Sequence, residues 1–305
     1  MPIQSPHGRI DYESTSPYEL SDIVRRSEAP RQPMFGQLLF PDAYAPPVPC
    51  IVALHGSFNW RGHHYDHILR FLEMGCAVFR IHSFDARGIA TIATTQLEVT
   101  HAMLIADAYA ALRLLVQHPQ LDPARMGITG WSLGGTAALY AAWTPIAEAL
   151  APGGERFAAH LPIYPAAYIH VEDDRWTGAP IRSLIGNLDD FTPAAPAVAL
   201  AARLAARGLP VETIEYPESH HSFDSIDEVE AYPQAIGLNA DASVTVLRDG
   251  RMVVTGTKIE VSTAEARRAA FARMAHLGTH AGGNRRARRR AFADAESFLR
   301  RHLLA

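Results

Sequence analysis

One serine in this chain has the setting of a catalytic nucleophile. It lies in the segment Gly130-Trp131-Ser132-Leu133-Gly134, which has the pattern G-x-S-x-G. An apolar, strand-like segment precedes it, and a run of small residues typical of a helix follows it. A tight strand-to-helix turn holds a serine hydroxyl at the end of a sheet, and side chains at Gly130 or Gly134 would collide across such a turn. This context favours Ser132 as a nucleophile over an inert serine in a glycine-rich turn.

A serine hydroxyl needs a base within hydrogen-bond reach, and the base needs an acid that orients it. Downstream of Ser132, an apolar segment ends at Gly186, and two acidic residues follow before the next helical pattern. We predict that Asp189 is the orienting acid, with Asp190 as the alternative. A carboxylate that only stabilises a helix N-terminus would explain either residue without catalysis.

The candidate base follows the next predicted strand, which breaks at Pro217. Two adjacent histidines stand in the loop that begins there, and we predict His221 as the general base with His220 as the alternative. The tetrahedral intermediate of such a reaction also needs backbone N–H donors for its oxyanion. We expect one donor at Leu133, directly after the nucleophile.

The second oxyanion donor is expected in the loop after the strand Cys50–Leu54. Gly56 permits a close approach there, and the pattern leaves Ser57 and Phe58 as equal candidates. The aromatic and histidine residues that follow this loop or precede the nucleophile are candidates for lining the substrate pocket: Trp60, His63, His64 and Trp131. His63 and His67 also have a helical metal-ligand spacing, but we favour a pocket-lining or structural role and predict no metal.

Short β-branched segments alternate with longer helical patterns, which is typical of βαβ units around a mostly parallel sheet. The predicted strands are Gly36–Phe40, Cys50–Leu54, Ala77–Ile81, Met126–Thr129, His160–Tyr164, Arg182–Ile185 and Val211–Tyr216. The predicted helices are Gln96–His118 and Thr192–Arg207.

The chain after residue 225 is less regular. Ser243–Val254 alternates around the turn pair Asp249-Gly250, which predicts a β-hairpin. Ser262-Thr263-Ala264-Glu265 predicts a capping box and a helix as far as Leu277. We interpret residues 1–305 as one domain with an N-terminal extension (1–30), an insertion near the active site (225–284) and a C-terminal helix (285–305) that docks on the sheet.

Composition narrows the functional classes. The charged content of 20% and the net charge of −4 provide no global basicity for nucleic-acid binding. No apolar run approaches the roughly 20 residues that span a bilayer, and Met1–His7 lacks the features of a secretory signal. Cys50 and Cys76 stand in apolar segments and are interpreted as buried thiols, which favours the cytoplasm. The basic run 285–290 is interpreted as a solvated helix face that could contact an acidic neighbour in a homodimer.

Taken together, these motifs resemble the dienelactone hydrolase family of α/β-hydrolases. The matching pieces are His55-Gly56, Ser83-Phe84-x-x-Arg87-Gly88, Gly130-Trp131-Ser132-Leu133-Gly134-Gly135, Gly186-x-x-Asp189-Asp190-x-x-Pro193 and Tyr216-Pro217-x-x-x-His221-x-Phe223. The resemblance implies an α/β-hydrolase fold, with helices on both faces of the sheet. It also implies hydrolysis of a small ester or lactone through an acyl-enzyme, without a cofactor, and it assigns the acid and the base to Asp189 and His221.

The chain departs from the founding members of that family in one respect. Those proteins use a cysteine nucleophile with a glutamate near the oxyanion loop, whereas this chain has Ser132 and no glutamate in residues 55–60. We therefore expect a serine-type branch whose substrate differs from dienelactone itself. The alternatives are a cutinase-like polyester hydrolase, a small acyl-peptidase and a non-catalytic binding protein on the same fold.

Overall fold

A twisted, mostly parallel sheet of eight strands forms the centre of the protein in a computed structural model, which describes residues 8–305. In chain order, the strands of this sheet and of two smaller sheets are β1 (Gly8–Thr15), β2 (Arg31–Leu39), β3 (Val48–Leu54), β4 (Ala77–Ile81), β5 (Leu121–Trp131), β6 (Ala159–Ile163), β7 (Ile169–Val171), β8 (Ile181–Gly186), β9 (Val211–Tyr216), β10 (Glu230–Leu238), β11 (Val244–Val246), β12 (Met252–Val254) and β13 (Ala275–Ala281). The spatial order of the large sheet is β1-β2-β4-β3-β5-β6-β8-β9, and only β2 runs against the others.

Helices follow most strands of this sheet. They are α1 (Leu20–Val24), α2 (Gly62–Glu73), α3 (His101–Leu115), α4 (Leu133–Tyr140), α5 (Thr144–Leu150), α6 (Ala194–Ala205), α7 (Ala264–Met274) and α8 (Arg285–Leu299). Helices α3, α4 and α5 contact one another, and α2 and α8 form a second packed pair. Parallel strands are apolar on both faces and require such cover, and every residue of β3 is buried. The predicted α/β-hydrolase fold class is confirmed.

The seven predicted strands are all present as strands β2, β3, β4, β5, β6, β8 and β9, with shifts of a few residues at their ends. The predicted helix Gln96–His118 is too long at its N-terminus. Gln96 has a φ of 56°, and the helix begins only after Thr100, whose hydroxyl caps it by accepting a hydrogen bond from the Met103 N–H. A left-handed residue cannot continue a right-handed helix, so the capping threonine sets the start.

Sequence reasoning described residues 1–30 as an extension of the domain. Residues 1–7 lie outside the described part of the chain, but Gly8–Thr15 forms strand β1 at the edge of the large sheet. This strand alternates between exposed and partly buried residues, as is typical of an edge strand. Residues 8–15 of the predicted N-terminal extension therefore form an edge strand of the large sheet.

The insertion contains the predicted hairpin, since β11 and β12 pair antiparallel around Asp249-Gly250. The predicted helix is α7, but its cap is Thr263 rather than Ser262, and it ends at Met274 rather than Leu277. Residues 275–281 instead form strand β13, which pairs with β10. Neither strand was predicted, because the partners lie about 45 residues apart in the chain and form a small separate sheet.

The C-terminal helix docks as predicted. Its apolar stripe is buried, and the buried residues are Ala287, Ala291, Ala295, Phe298, Leu299 and Leu303. Cys50 and Cys76 are free and buried, also as predicted. Within residues 8–305, no helix is both long and apolar enough to cross a membrane.

Two buried histidines in the core should make folding stability depend on pH. Burial lowers the pKa of both His55 and His160 to about 4 from an ordinary value of 6.5. The unfolded chain protonates both near pH 6.5, whereas the folded protein does not. Their contribution to the free energy of unfolding is therefore complete above about pH 6.5 and is lost as the pH falls towards 4.

We expect each of these histidines to remove about 3 kcal/mol from the free energy of unfolding over that range. Urea unfolding at a series of pH values measures the slope. His160 donates from Nδ1 to the Ala138 carbonyl at 2.9 Å, and asparagine can mimic this bond without titrating. The slope of the unfolding free energy against pH gives the number of protons taken up on unfolding. His160→Asn should lower this number by about one, whereas the same change at the exposed His170 should not. An unchanged slope in His160→Asn would contradict this account.

Candidate active site

Ser132 stands at the sharp turn between β5 and α4. Its φ of 55° and ψ of −113° are a strained combination for a residue with a side chain. A Cβ on Gly130 would lie 2.3 Å from the Gly134 carbonyl oxygen, so this glycine is required by the turn itself, as predicted. A Cβ on Gly134 would instead lie 2.4 Å from the Leu54 carbonyl oxygen. The second glycine is therefore required by the close approach of α4 to the end of β3.

Ser132, His221 and Asp189 form a continuous chain of hydrogen bonds. His221 Nε2 lies 3.0 Å from Ser132 Oγ, and His221 Nδ1 lies 2.7 Å from Asp189 Oδ2. The Asp189 carboxylate is buried and accepts further hydrogen bonds from the N–H groups of Phe191 (3.0 Å) and Thr192 (2.8 Å). These bonds fix the carboxylate in its orientation towards the imidazole. Such an arrangement can remove the serine proton during attack on a carbonyl carbon.

The two residues that sequence reasoning held as alternatives lie outside this chain of bonds. Asp190 accepts hydrogen bonds from the backbone N–H and from Nδ1 of His280 on β13, both at 2.8 Å. The His220 ring faces the His280 ring, with 5.7 Å between their centroids. Asp190 and His220 thus contact the insertion, while their neighbours Asp189 and His221 contact Ser132 and each other.

Two aromatic rings hold the imidazole of His221 in place. The Phe191 ring stacks on it with 4.6 Å between centroids, and the Tyr164 ring lies 4.5 Å away. His221 itself is buried. These contacts favour the orientation of His221 in which Nε2 faces the Ser132 hydroxyl.

The predicted oxyanion donors lie on both sides of Ser132. Leu133 is the first residue of α4, and Ser57 and Phe58 are the central residues of a turn closed by the Asn59 N–H to the Gly56 carbonyl at 2.9 Å. A Cβ on Gly56 would lie 3.4 Å from the Ser132 Cβ, so the turn approaches the nucleophile closely. The amides of all three candidates lack a backbone partner within residues 8–305. The choice between Ser57 and Phe58 stays a prediction.

A single cavity surrounds Ser132. His63, His64 and Trp131 line it, as the sequence suggested. Trp60 does not: its Nε1 donates to the Ile81 carbonyl at 3.1 Å, and its ring packs on the outer side of Trp131. The prediction of Trp60 as a pocket-lining residue is therefore wrong, because its indole is used to pack α2 against β4.

The insertion forms a large part of the cavity wall. Its lining residues are Ser225, Asp227, Tyr232, Ile236, Leu238, Arg267, Phe271, Ala281 and Gly282. They come from the loop after His221, from β10, from α7 and from the end of β13. The unpredicted β10–β13 pair is thus the element that holds the insertion over the nucleophile.

Sequence reasoning missed Asp224, which is fully buried three residues after His221. Its Oδ2 accepts hydrogen bonds from His67 Nε2 (3.1 Å) and Trp131 Nε1 (3.2 Å), and its Oδ1 accepts one from the Tyr164 hydroxyl (3.1 Å). Burial by itself would raise the pKa of this carboxyl, but His63 and His67 beside it bring the pKa well below its ordinary range.

Asp224 connects three parts of the site. Trp131 precedes the nucleophile, Tyr164 packs on the base, and His67 belongs to α2. The same contacts explain the histidine-rich segment that had suggested a metal, since His67 uses its Nε2 for Asp224. Within residues 8–305, no group of three or more histidine, cysteine, aspartate or glutamate residues has an arrangement that could hold a metal ion. The signal in the sequence was the cluster of His63, His64 and His67, whose neighbouring carboxylate Asp66 bonds to Arg288 instead.

Comparison with known proteins identifies the family. The family model described as the dienelactone hydrolase family matches residues 38–249, about 70% of the chain. The chain belongs to this family. A protein of Methylorubrum extorquens with the provisional name carboxymethylenebutenolidase is 27% identical over 187 residues, which are 58% of this chain and 64% of that protein. The match thus spans a little under two thirds of the length of this relative.

Solved structures of this family and of esterases share the fold. A dienelactone hydrolase-like promiscuous phosphotriesterase from metagenomic libraries superimposes with a TM-score of 0.57 at 13% identity, over 97% of this chain and 99% of its own. Esterase 2 of Thermogutta terrifontis, phosphonylated by cyclosarin, superimposes with a TM-score of 0.51 at 18% identity, over 63% of this chain and 80% of its own. At these identities the likeness concerns the fold alone.

Proposed function

We propose that this dienelactone hydrolase family member is a serine hydrolase that cleaves a carboxylic ester or lactone through an acyl-enzyme. The observation that carries the proposal is the unbroken chain of hydrogen bonds from Ser132 Oγ through His221 to the buried Asp189. The name of the Methylorubrum extorquens relative supports the same reaction class, because a butenolide is an unsaturated lactone.

The reaction proceeds in two halves. Ser132 Oγ attacks the ester carbonyl carbon while His221 Nε2 takes its proton, and the Asp189 carboxylate stabilises the resulting imidazolium. The N–H groups of Leu133 and of Ser57 or Phe58 bind the oxyanion. The intermediate collapses, and His221 gives its proton to the leaving alcohol. A water molecule then loses a proton to His221 as it attacks the acyl-enzyme carbonyl. The second intermediate collapses, the bond to Ser132 Oγ breaks, and His221 returns the proton to that oxygen, so that the acid is released and the serine is restored.

We expect a fluorophosphonate probe to label the folded protein at one site, because only an activated serine attacks such phosphorus centres rapidly. Intact-mass spectrometry should show one adduct per chain, and peptide mapping should place it on Ser132. His221→Ala should slow the labelling strongly. A folded protein that stays unlabelled while the probe reacts with a reference serine esterase would contradict the proposal, and so would labelling at another residue.

The cytoplasm stays the proposed location, and the two free, buried thiols are compatible with a reducing compartment. A small-molecule ester or lactone is the proposed substrate, because residues of the insertion line the cavity around Ser132.

A further inference from the structure

One wall of the active-site cavity carries a buried cation. Arg267 of α7 lines the cavity together with Gln96, His101 and Tyr168, and its guanidinium pairs with the carboxylate of Glu19, the residue before α1. These five residues are called the Arg267 cluster below. Glu19 and Arg267 both lie outside the segment that matches the family model, so the pair that builds this wall is not part of the matched family core.

The charges within the Arg267 cluster balance. Arg267 and Glu19 are both almost fully buried, and Arg267 Nη1 bonds to Glu19 Oε1. Burial raises the pKa of the Glu19 carboxyl, and the Arg267 guanidinium opposes this shift with its positive charge and its hydrogen bond. Burial also lowers the pKa of His101 well below its ordinary value, so His101 is neutral. A cation with a full counterion is a hydrogen-bond donor rather than a site for a second anion.

Some polar atoms of the Arg267 cluster have no partner. His101 Nε2 and Glu19 Oε2 are buried without a hydrogen bond to any residue in the range 8–305. His101 is only 1% exposed, yet it is one of the residues that line the cavity. Buried polar atoms without partners are rare in folded proteins and are costly. Since His101 lines the cavity and Glu19 is not among its lining residues, His101 Nε2 is the atom of the cluster that a polar group of the substrate would complete.

The position of the cluster points to the acyl part of the substrate. The alcohol leaves beside the His221 side chain, whose hydrogen-bond and ring contacts within residues 8–305, besides Ser132 and Asp189, are Tyr164, Phe191 and Thr192. None of these belongs to the Arg267 cluster. The cluster instead adjoins the oxyanion loop through Gln96. The side-chain amide of Gln96 donates to Ser57 Oγ at 3.1 Å, and the backbone carbonyl of Gln96 accepts from Arg267 Nε at 3.0 Å.

We propose that the Arg267 cluster binds an uncharged oxygen group, a hydroxyl or a carbonyl, at the far end of the acyl chain and disfavours a carboxylate there. The inference rests on the proposed ester hydrolysis at Ser132. The apolar side chains of Phe271 and Leu238 line the same cavity and suit the methylene groups between the two ends. A carboxylate would share one guanidinium with Glu19, and two anions on one buried cation repel each other.

The test compares p-nitrophenyl esters whose acyl chains end in a methyl, a hydroxymethyl or a carboxylate group, each in a series of graded length. We expect that at one or more lengths kcat/KM for the hydroxyl-ended ester exceeds that for the methyl-ended ester by about tenfold or more. The carboxylate-ended ester should fall below the methyl-ended one at every length.

Two variants test the roles within the cluster. His101→Phe leaves the Arg267–Glu19 pair in place and should bring the ratio of hydroxyl-ended to methyl-ended kcat/KM close to one. As a control, His170→Phe changes an exposed histidine that does not line the cavity, and it should preserve that ratio. Glu19→Gln removes the counterion of Arg267 with little change in shape. This variant should raise kcat/KM for the carboxylate-ended ester by about tenfold relative to the methyl-ended ester.

The inference is overturned if wild type treats hydroxyl-ended and methyl-ended esters alike at every length, or if it prefers the carboxylate-ended ester. It is also overturned if His101→Phe keeps the hydroxyl preference. These outcomes differ from a failure of the proposed function, in which none of the esters is hydrolysed and Ser132 is not labelled by the fluorophosphonate probe.

Discussion

Replacement of Ser132 by alanine is expected to lower kcat for ester hydrolysis by about 10⁶-fold. In the proposed mechanism the hydroxyl oxygen forms the acyl-enzyme, and His221 Nε2 has no other hydrogen-bond partner within residues 8–305. The fold should survive, because the change removes one oxygen atom from a side chain whose only side-chain hydrogen bond in this range is with His221. Steady-state hydrolysis of a p-nitrophenyl ester measures the effect, with thermal unfolding as the check on folding.

A control for this experiment is Ser27→Ala, because Ser27 is exposed and is not among the residues that line the cavity. It should keep the wild-type rate. Substantial turnover by well-folded Ser132→Ala would mean that another nucleophile, or a water activated directly by His221, carries the reaction.

The second large effect is expected at Asp189. Replacement by asparagine should lower kcat by about 10⁴-fold. The amide can turn its NH₂ group towards His221 Nδ1, which then becomes an acceptor and leaves the proton on Nε2, the atom that must accept the serine proton. Measurement of kcat and KM should show the loss in kcat, because Asp189 Oδ2 contacts His221 and not the cavity centre.

Asp190→Asn is the matched control, since it makes the same chemical change one residue away. Asp190 pairs with His280 in a partly exposed position, with 33% and 49% of the two side chains accessible. Such pairs contribute little, so kcat should stay within about fivefold of wild type. The opposite result, with Asp190→Asn the inactive variant, would show that the acid had been assigned to the wrong neighbour.

Much of the fold could be predicted because its signals are local. The seven apolar strands, the glycines of the serine turn, the hairpin around Asp249-Gly250 and the stripe of the C-terminal helix are each written within a few residues of sequence. Each signal depends on side-chain periodicity or on a backbone angle that few residue types adopt. The missed features depend on distant partners instead: β10 requires β13, and Gln96, whose left-handed backbone precedes α3, bonds to Ser57 and Arg267.

The same distinction holds for the site. The sequence by itself determined the family, the serine at the turn and a short choice of acids and bases downstream. Only the tertiary structure decided which neighbour faces the serine, because Ser132 and His221 are 89 residues apart and His221 and Asp189 are 32 apart. A loop residue can point to either side of its strand, and the packing of Phe191 and Tyr164 on His221 settles this direction.

The cavity wall depends still more on tertiary contacts. Glu19 and Arg267 are 248 residues apart, and Asp224 meets His67 across 157 residues. Nothing in the local sequence around Glu19 or Asp224 indicates a partner, because a buried charge has no periodicity of its own. Such a charge is recognised only in the folded structure, where burial removes its hydration and another side chain must stabilise it. The sequence thus specified the candidate serine and its sheet, whereas tertiary packing decided which charges lie at the cavity wall.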